Sequence, residues 1–447
     1  MRVDDLVALP GTVRARTPEQ TWAAVAGLLP EFGITRLADL TGLDCIGLPV
    51  RTAIRPASLT LSTSQGKGAT PLLAKLSAVM ESIELWHLEQ PLPIAARGPA
   101  AEVAPHCPVA ALPMTVPYPD RTLRRMVWEW TSGTGLVSGQ DQLLPADLVR
   151  CRARRPEWSP DLLRATSTGL ACGNTRGEAL LHALFEVVER DVLYREEADG
   201  GSWRTSIAPE TVQDPHAREV LDKLAAASMS LEIAMVDGPY GLPVCVAYLW
   251  SEDLPVVFAG GGCHSVPEIA LTRALTEAAQ SRLTAISGTR DDLTSAPSST
   301  GTPAFRPART SGLVPWPDAT GHFAAAVGGF AVQAADLAVE IAHATGHEPV
   351  ALDLSHPNSP VHAREGYGGV VMPGVPPPCP TVARRGPGLC CWSPPMRDLP
   401  RSPATDKPTA PLILRRVRAP RNRRSPLPGM RMGSDRRLGG TGGVSGR

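Results

Sequence analysis

Two segments of this chain, 105 positions apart, carry the same spacing of carboxylates. Glu81 and Glu84 in the first segment correspond to Glu186 and Glu189 in the second. Both segments have the periodicity of helices, in which carboxylates about one turn apart share a face. Most other positions at 179–188 are apolar, which is typical of a buried helix. Buried carboxylates destabilise a fold unless cations compensate them, so we expect Mg²⁺, which takes oxygen ligands and bridges carboxylates to phosphates.

An alternative interpretation is that each pair of Glu lies on a solvated helix face. For one pair taken alone this is the commoner situation. Here the pair occurs twice, each time on an apolar helix that follows a segment containing Ser and Gly. The repetition favours a metal and phosphate site.

The segment before the first acidic helix is Gly66-Lys67-Gly68, which is predicted to form a strand-to-helix turn. Glycines let backbone amides approach phosphate oxygens, and a helix N-terminus and a Lys both favour an anion. The Walker sequence G-x-x-x-x-G-K-[ST] is absent. The segment 167–174 before the second helix suits contacts to a nucleotide. An ordinary capping turn explains its composition equally well.

A third long helix is predicted at 267–286. Arg and Gln side chains facing an acidic, phosphate-bearing cavity would balance the charge of a triphosphate. Gln280 and Arg282 are the candidates on this helix. Arg273 and Glu277, four positions apart, are interpreted as an ion pair on the helix surface.

The composition of the 447 residues is that of a globular protein, with 43% apolar and 20% charged residues. The net charge of zero is a cancellation, because 373–447 contains fourteen Arg and one Lys against three Asp. The acidic remainder does not indicate a nucleic-acid partner. The N-terminus lacks an apolar signal core and no stretch reaches the length of a membrane span, so we expect a cytoplasmic protein without a membrane partner.

The predicted elements alternate irregularly along the chain. Helices are predicted at 17–32, 70–89, 175–194, 215–228, 267–286 and 337–344, and strands at 34–40, 49–55, 59–64, 126–130, 135–143, 231–236, 243–249, 255–260 and 349–352. This order favours an α+β or mixed α/β fold over a regular doubly wound sheet.

The segment 373–447 differs from the rest in composition, with fifteen Pro and no Glu. Such a segment cannot bury enough apolar surface to become ordered. One interpretation is a basic, disordered arm that contacts something acidic. We favour the other, that the segment is translated out of frame from a GC-rich gene.

The two acidic segments together resemble the ATP-binding signatures of the YcaO family. The matching residues are Ser77, Glu81 and Glu84 in the first signature and Ser167, Asn174, Glu178, His182, Glu186, Glu189 and Arg190 in the second. Leu85 stands where the family usually has Arg, and His182 where it often has Gln. The third family element, Q-x₃-R, begins at Gln280 but has Thr284 at the Arg position, for which Arg282 and Arg290 are alternatives.

The resemblance implies a YcaO-type α+β fold in which acidic helices line a cavity for ATP and Mg²⁺. It implies an N-terminal segment at 1–58, an ATP-binding domain at 59–372 and the basic tail at 373–447. The Mg²⁺ ligands would be Glu81, Glu84, Glu186 and Glu189, and the ATP contacts Lys67, Ser77, Ser167, Asn174, Glu178, His182, Arg190, Gln280 and Arg282. No catalytic residue is assigned.

By resemblance, the function is ATP- and Mg²⁺-dependent phosphorylation of a peptide backbone amide, which gives an azoline or a thioamide in a ribosomally made peptide. One alternative is a degenerate, non-catalytic module that binds a leader peptide or a partner. Another is an accessory role in modification of a ribosomal protein. The segment 33–56 resembles stand-alone YcaO proteins that work beside a TfuA-like partner. The oligomeric state is open, with a homodimer among the alternatives.

Overall fold

The residues that a computed structural model describes are 6–112, 114, 118–150, 162–163, 165–289 and 311–355, together with the backbone of a strand at 367–371. The helices within them are α1 (Pro18–Val25), α2 (Pro71–Leu88), α3 (Ala100–Val103), α4 (Asp120–Arg125), α5 (Arg176–Ala198), α6 (Pro215–Ala226), α7 (Pro267–Ser287), α8 (Trp316–Thr320) and α9 (Phe330–Thr345). In this part of the chain no helix is both long and apolar enough to cross a bilayer.

The strands form four sheets in which nearly all neighbours are antiparallel. They are β1 (Val7–Leu9), β2 (Thr12–Arg14), β3 (Arg36–Asp39), β4 (Val50–Ile54), β5 (Thr63–Lys67), β6 (Ala96–Pro99), β7 (Val127–Gly135), β8 (Asp141–Pro145), β9 (Leu170–Cys172), β10 (Arg204–Ala208), β11 (Ser230–Val236), β12 (Val244–Trp250), β13 (Phe258–Cys263), β14 (Val314–Pro315), β15 (Val350–Asp353) and β16 (Tyr367–Val371). The sheet orders are β1-β2, β3-β4-β5, β13-β12-β11-β10-β14 and β6-β7-β15-β16-β9, with β8 paired to β7. The predicted α+β class is confirmed.

The five-stranded sheet is the middle of a three-layer core. Alternate residues of a strand point to opposite faces, and β11 and β12 are buried on both. Ile233 packs in one apolar cluster with residues of α6 and α7, whereas its neighbour Ala234 packs in a second cluster with residues of α5 and α9. Two of the long helices that carry the candidate site residues, α5 and α7, therefore lie on opposite faces of one sheet.

The boundaries of the acidic helices follow from their caps. The Thr70 hydroxyl accepts a hydrogen bond from Leu73 N at the start of α2, and the Thr175 hydroxyl accepts one from Glu178 N at the start of α5. Pro71 takes the first helical position, where its missing N–H costs nothing. The two helices begin where the sequence predicts them.

The predicted turn at Gly66-Lys67-Gly68 is wrong for its first two residues. Gly66 and Lys67 end strand β5, which pairs with β4, and only Gly68 follows the strand. A Cβ on Gly66 would lie 2.0 Å from Ala78 N and 2.4 Å from Ala74 O. Glycine is therefore required here because the strand touches the backbone of α2, and the strand predicted at 59–64 lies later in the chain.

Candidate active site

Three strand–helix units with connections of the same length build the site. They are β5–α2, β9–α5 and β13–α7, and in each unit three residues separate the last strand residue from the first helical one. Fourteen positions after the strand ends, the three helices carry Glu81, Glu186 and Glu277. The repeat found in the sequence thus has a third member.

The same correspondence holds at two other positions of the three helices. Seventeen positions after the strand, they carry Glu84, Glu189 and Gln280. Ten positions after it, the first two helices carry Ser77 and His182, and the third carries Arg273. The third unit therefore has an amide, that of Gln280, in place of one carboxylate, and a guanidinium, that of Arg273, where the other units have Ser and His.

Close contact between strand and helix backbones fixes these units. A Cβ on Gly260 would lie 2.2 Å from Ala274 O, and one on Gly262 would lie 2.0 Å from Ala270 O. Gly173 in the second unit approaches the backbone of α5 in a similar way. Because real Cβ atoms are not found at such distances from backbone, these glycines seat each helix directly on its strand.

The carboxylates of α2 and α5 lie close enough to influence one another. Burial raises the pKa of Glu84 to about 8, and the charges of Glu81 and Glu186 add to this effect. Burial likewise raises the pKa of Glu186 to about 7 and shifts that of Glu189 upward. The Glu84 carboxylate accepts a hydrogen bond of 2.9 Å from Cys172 N, which only partly offsets the burial. The nearby positive charges are therefore too weak to offset the burial of the Glu84, Glu186 and Glu189 carboxylates.

The negative charge of Glu277, unlike those of Glu84, Glu186 and Glu189, is compensated by neighbouring cations. Its Oε2 lies 3.2 Å from Lys67 Nζ, and its Oε1 lies 3.9 Å from Arg190 Nη2. Burial acts to raise the pKa of Glu277, but the charges of Lys67, Arg190 and Arg273 outweigh it and the pKa is lowered. The predicted surface ion pair of Arg273 with Glu277 is wrong, because the Glu277 side chain is only 16% exposed and contacts Lys67.

The donor set fits divalent cations bound together with phosphate. Mg²⁺ usually takes one or two carboxylates and completes its shell with phosphate oxygens and water. Among the described residues, no three His, Cys, Asp or Glu side chains are grouped so that they could hold a metal ion by themselves. A Cβ on Gly261 would lie 3.1 Å from Glu189 Oε1, so this glycine leaves room for the Glu189 carboxylate. Arg273 Nε is buried without a hydrogen-bond partner in the described part, which leaves a donor beside the site.

The predicted ATP contacts at the start of α5 lie together. Asn174 donates to the Glu178 carboxylate from its backbone N at 3.1 Å and from Nδ2 at 3.1 Å, and Glu178 is 1% exposed. Ser167 and Ser77 are exposed, Ser167 before β9 and Ser77 on α2. The structure does not show either serine in contact with Glu178.

Among the predicted contacts on α7, Gln280 and Arg282 have different surroundings. Gln280 Nε2 donates to Gln65 O on β5 at 3.0 Å, so it links the first and third units. Arg282 is 1% exposed, and its guanidinium is bound by Asp44 and Asp253. Its hydrogen-bonding groups are therefore committed elsewhere, and the structure does not bring it together with Lys67 and the carboxylates. Arg290 lies outside the described residues.

Sequence reasoning missed the place of Glu277 in the site and overlooked Arg14. Glu277 could have been found by counting from the end of the preceding strand. Arg14 lies on β2, and its Nη1 is 3.3 Å from Glu178 Oε1. No spacing connects residue 14 to the acidic helices, so this contact becomes visible only in three dimensions.

Clustered carboxylates on helices that begin close behind glycine-bearing strands are an arrangement that suits a metal-bound, phosphorylated ligand. The family model described as YcaO cyclodehydratase, ATP- and Mg²⁺-binding, matches residues 65–372. This match covers more than half of the chain, and the protein belongs to the YcaO family. ATP and Mg²⁺, which the sequence predicts, are the cofactors that the family description names.

Relatives occur in bacteria and archaea. An uncharacterized protein of Mycobacterium tuberculosis (strain H37Rv) is 38% identical over 296 residues, which cover 64% of this chain and 65% of that protein. A Rhizobium leguminosarum bv. trifolii protein described as lying in the tfuA 3′ region is 37% identical over 293 residues, covering 62% of this chain and 69% of that protein. The chain thus spans slightly less than two thirds of the mycobacterial relative.

Two solved structures show the same fold. YcaO from Methanopyrus kandleri bound with AMPPCP and Mg²⁺ has a TM-score of 0.66 at 23% identity, covering 86% of this chain and 98% of that one. A heterocyclase in complex with substrate and cofactor has a TM-score of 0.62 at 20% identity, covering 83% of this chain and 54% of that one. At these identities the likeness concerns architecture, and it confirms the YcaO-type fold.

Proposed function

We propose that this protein is an ATP- and Mg²⁺-dependent enzyme that activates the backbone amide of a ribosomally made peptide. The observation that carries the proposal is the set of carboxylates that α2, α5 and α7 contribute at matching helical positions, three of which have a raised pKa. Groups with this need for positive charge suit Mg²⁺ that also binds a triphosphate. Glu81, Glu84, Glu186 and Glu189 would hold the metal.

The residues around the carboxylates suit the rest of the nucleotide. Lys67 and Arg190 contact Glu277 at the edge of the cluster, where they can also meet phosphate oxygens. Ser77, Ser167, Asn174, Glu178, His182 and Gln280 remain the proposed ATP contacts. Phosphoryl transfer depends mainly on positioning and on neutralising charge, both of which these side chains supply.

The proposed reaction begins when a nucleophile forms a bond to the amide carbon. The amide oxygen then takes the γ-phosphoryl group of ATP, which releases ADP. The carbon–oxygen bond breaks, and phosphate departs with the former amide oxygen. A neighbouring Cys, Ser or Thr side chain loses its thiol or hydroxyl proton when it attacks, and loss of the amide proton with the phosphate then gives an azoline. External hydrosulfide as nucleophile gives a thioamide, because its S–H proton is lost with the phosphate and the amide proton stays. Both outcomes remain open for this chain.

Two partners belong to this proposal. The first is the precursor peptide that carries the amide. The second is a TfuA-like protein, which the position of the Rhizobium leguminosarum relative in the tfuA 3′ region supports. A non-catalytic module that only binds a leader peptide would have no need for the clustered carboxylates, so their retention favours the enzyme.

Calorimetry with the ATP analogue AMPPCP tests the site. We expect binding in the presence of Mg²⁺ and none in EDTA, because the metal-free carboxylates repel a triphosphate. Glu186→Gln should weaken binding by about tenfold or more, since loss of one charge-assisted contact costs about 1.5–3 kcal/mol. Glu340→Gln, on the exposed face of α9, is the matched control and should bind as the wild type does. Equal affinity with and without Mg²⁺ would refute the proposed site.

A further inference from the structure

The N-terminal hairpin β1–β2 reaches the start of helix α5, although it precedes the residues that match the family model. Arg14 is the last residue of β2. Its Nη1 lies 2.7 Å from His182 Nε2 and 3.3 Å from Glu178 Oε1. The adjacent Ala15 N donates to Glu178 Oε2 at 3.2 Å. Two residues proposed to bind ATP are thus held from outside the matched region.

The contact between Arg14 and His182 fixes the position of one proton. A guanidinium has only donors, so Nε2 of His182 must accept. A neutral imidazole that accepts on Nε2 carries its proton on Nδ1. The ring is neutral because burial, and then the charge of Arg14, lowers the pKa of His182 well below its ordinary value.

The protonated nitrogen is left available for a ligand. In the described part of the chain no hydrogen bond joins Nδ1 of His182 to another group. The residue as a whole is partly exposed. His182 occupies the helical position that corresponds to Ser77 on α2, one turn before Glu186.

Glu178 is held by the same hairpin in a single orientation. Its two carboxylate oxygens accept from Arg14 Nη1, Ala15 N and Asn174, and the side chain is 1% exposed. Asn174 Oδ1 in turn accepts a 2.8 Å hydrogen bond from the hydroxyl of Thr21 on α1. The N-terminal segment therefore orients two polar side chains at the start of α5, those of Asn174 and Glu178.

We infer that Arg14 is a positioning residue of the ATP site: it holds His182 as the Nδ1–H tautomer, so that the ring offers a hydrogen-bond donor to the nucleotide. This inference rests on the proposed function. A Gln at position 182 would need no such help, because a side-chain amide carries both a donor and an acceptor.

Histidine-selective ¹⁵N labelling and NMR test the tautomer directly. The chain has ten His, and the His182→Gln variant identifies the signals of His182. The wild type should show a protonated Nδ1 and a bare Nε2. In Arg14→Met, which keeps the length but loses the donors, we expect a mixture of tautomers or protonation on Nε2. An unchanged Nδ1–H tautomer in Arg14→Met would overturn the inference.

Calorimetry with AMPPCP and Mg²⁺ gives the second measurement. Arg14→Met should weaken binding by about tenfold. The matched control Arg36→Met, which changes an exposed Arg of β3, should bind as the wild type does. The double variant Arg14→Met/His182→Gln should recover most of the lost affinity, because Gln restores a donor that needs no fixed tautomer. A merely structural role of Arg14 would leave the double variant as weak as Arg14→Met.

The outcomes separate the inference from the function on which it rests. Failure of the wild type to bind AMPPCP with Mg²⁺ would refute the proposed function and, with it, this role of Arg14. Wild-type binding with unchanged or tighter binding by Arg14→Met would refute the inference alone, since Arg14 would then be neutral or obstructive. If Arg14→Met does not fold, Arg14→Leu replaces it, because it likewise has no donor for His182 Nε2.

Discussion

Among single residues, the carboxylates of α2 and α5 differ from Glu277 in how their charge is compensated. The pKa of Glu186 is raised to about 7 because burial outweighs the nearby cations. The pKa of Glu277 is lowered because Lys67 and its neighbours outweigh burial. Two Glu at corresponding helical positions should therefore respond in opposite ways when each is replaced by the neutral isostere Gln.

We predict that Glu186→Gln raises the free energy of unfolding of metal-free protein at pH 8, whereas Glu277→Gln lowers it by about 1–3 kcal/mol. The first substitution removes an uncompensated charge, and the second leaves Lys67 without its partner. Urea unfolding in EDTA measures both effects. Destabilisation of equal size in the two variants would mean that Glu186 and Glu277 do not differ in how neighbouring cations compensate their charge.

The same shifts predict how stability depends on pH. The pKa values of Glu84 and Glu186 are raised from 4.5 to about 8 and about 7, so the folded protein binds these protons more tightly than the unfolded chain does. Their contribution to stability is complete below pH 4.5 and is lost as the pH rises through about 7 and 8.

We therefore expect metal-free protein to lose stability between pH 5 and pH 8, by at most about 1.4 kcal/mol per pH unit for each group. Urea unfolding in EDTA at several pH values measures the slope. Glu84→Gln should flatten it, and Mg²⁺ should restore stability at the alkaline end. The control Glu340→Gln should keep the wild-type slope. A flat profile for the wild type would contradict the raised pKa values.

At the scale of elements, the sequence predicted what local signals determine. The starts of α2 and α5 follow from Thr70 and Thr175, and that of α7 from Pro267. The turn predicted at Gly66 failed because a glycine that serves strand–helix contact cannot be distinguished locally from one that serves a turn. The third helix was predicted, but its correspondence to the other two was missed, because Gln280 stands at the position of the second carboxylate and the paired Glu pattern is absent.

The glycines of β13 allow a prediction about the two faces of that strand, because Gly260 faces the backbone of α7 and Gly261 faces side chains of α5. A Cβ on Gly260 would strike Ala274 O at 2.2 Å, whereas one on Gly261 would lie 3.1 Å from Glu189 Oε1 and 2.8 Å from Leu193 Cδ1. Gly260→Ala must displace backbone and should cost more than the 1–3 kcal/mol that is roughly usual for overpacking. Gly261→Ala moves only side chains, so it should fold but bind AMPPCP with Mg²⁺ more weakly.

Thermal unfolding and calorimetry together measure these two effects. Gly27→Ala, at a position where an added Cβ meets nothing within 4 Å, is the control for both. Normal affinity in a folded Gly261→Ala variant would show that Glu189 does not need the space this glycine leaves. Normal stability of Gly260→Ala would contradict the close seating of α7 on β13.

Across the whole molecule, the site draws on residues far apart in sequence. Lys67 comes from β5, which pairs with β4 across the predicted boundary at residue 58, and Arg14 comes from the first hairpin. A prediction from local patterns selected the carboxylates of α2 and α5, because the two helices repeat them. It could not recover Arg14, since one residue on a three-residue strand carries no periodicity.

The last prediction concerns the segment 373–447, which lies outside the described residues and whose interpretation as a disordered or out-of-frame tail remains a prediction. Strand β16 ends at Val371 and joins β15 to β9, with four paired residues on one side and three on the other. Since β9 leads into α5, β16 links the six-stranded sheet to the second acidic helix. A chain that ends at residue 372 should therefore keep nearly the full thermal stability and bind AMPPCP with Mg²⁺.

A chain that ends at residue 366 is the matched comparison, because it differs by only six residues but lacks β16. We expect it to unfold at a lower temperature, since the backbone groups of β9 and β15 lose their partners. If the segment 373–447 is disordered, as the sequence predicts, its many Arg are accessible and trypsin should cleave the full-length chain there first. A tail that resists trypsin, or a chain ending at 372 that unfolds, would instead make this basic segment part of the fold.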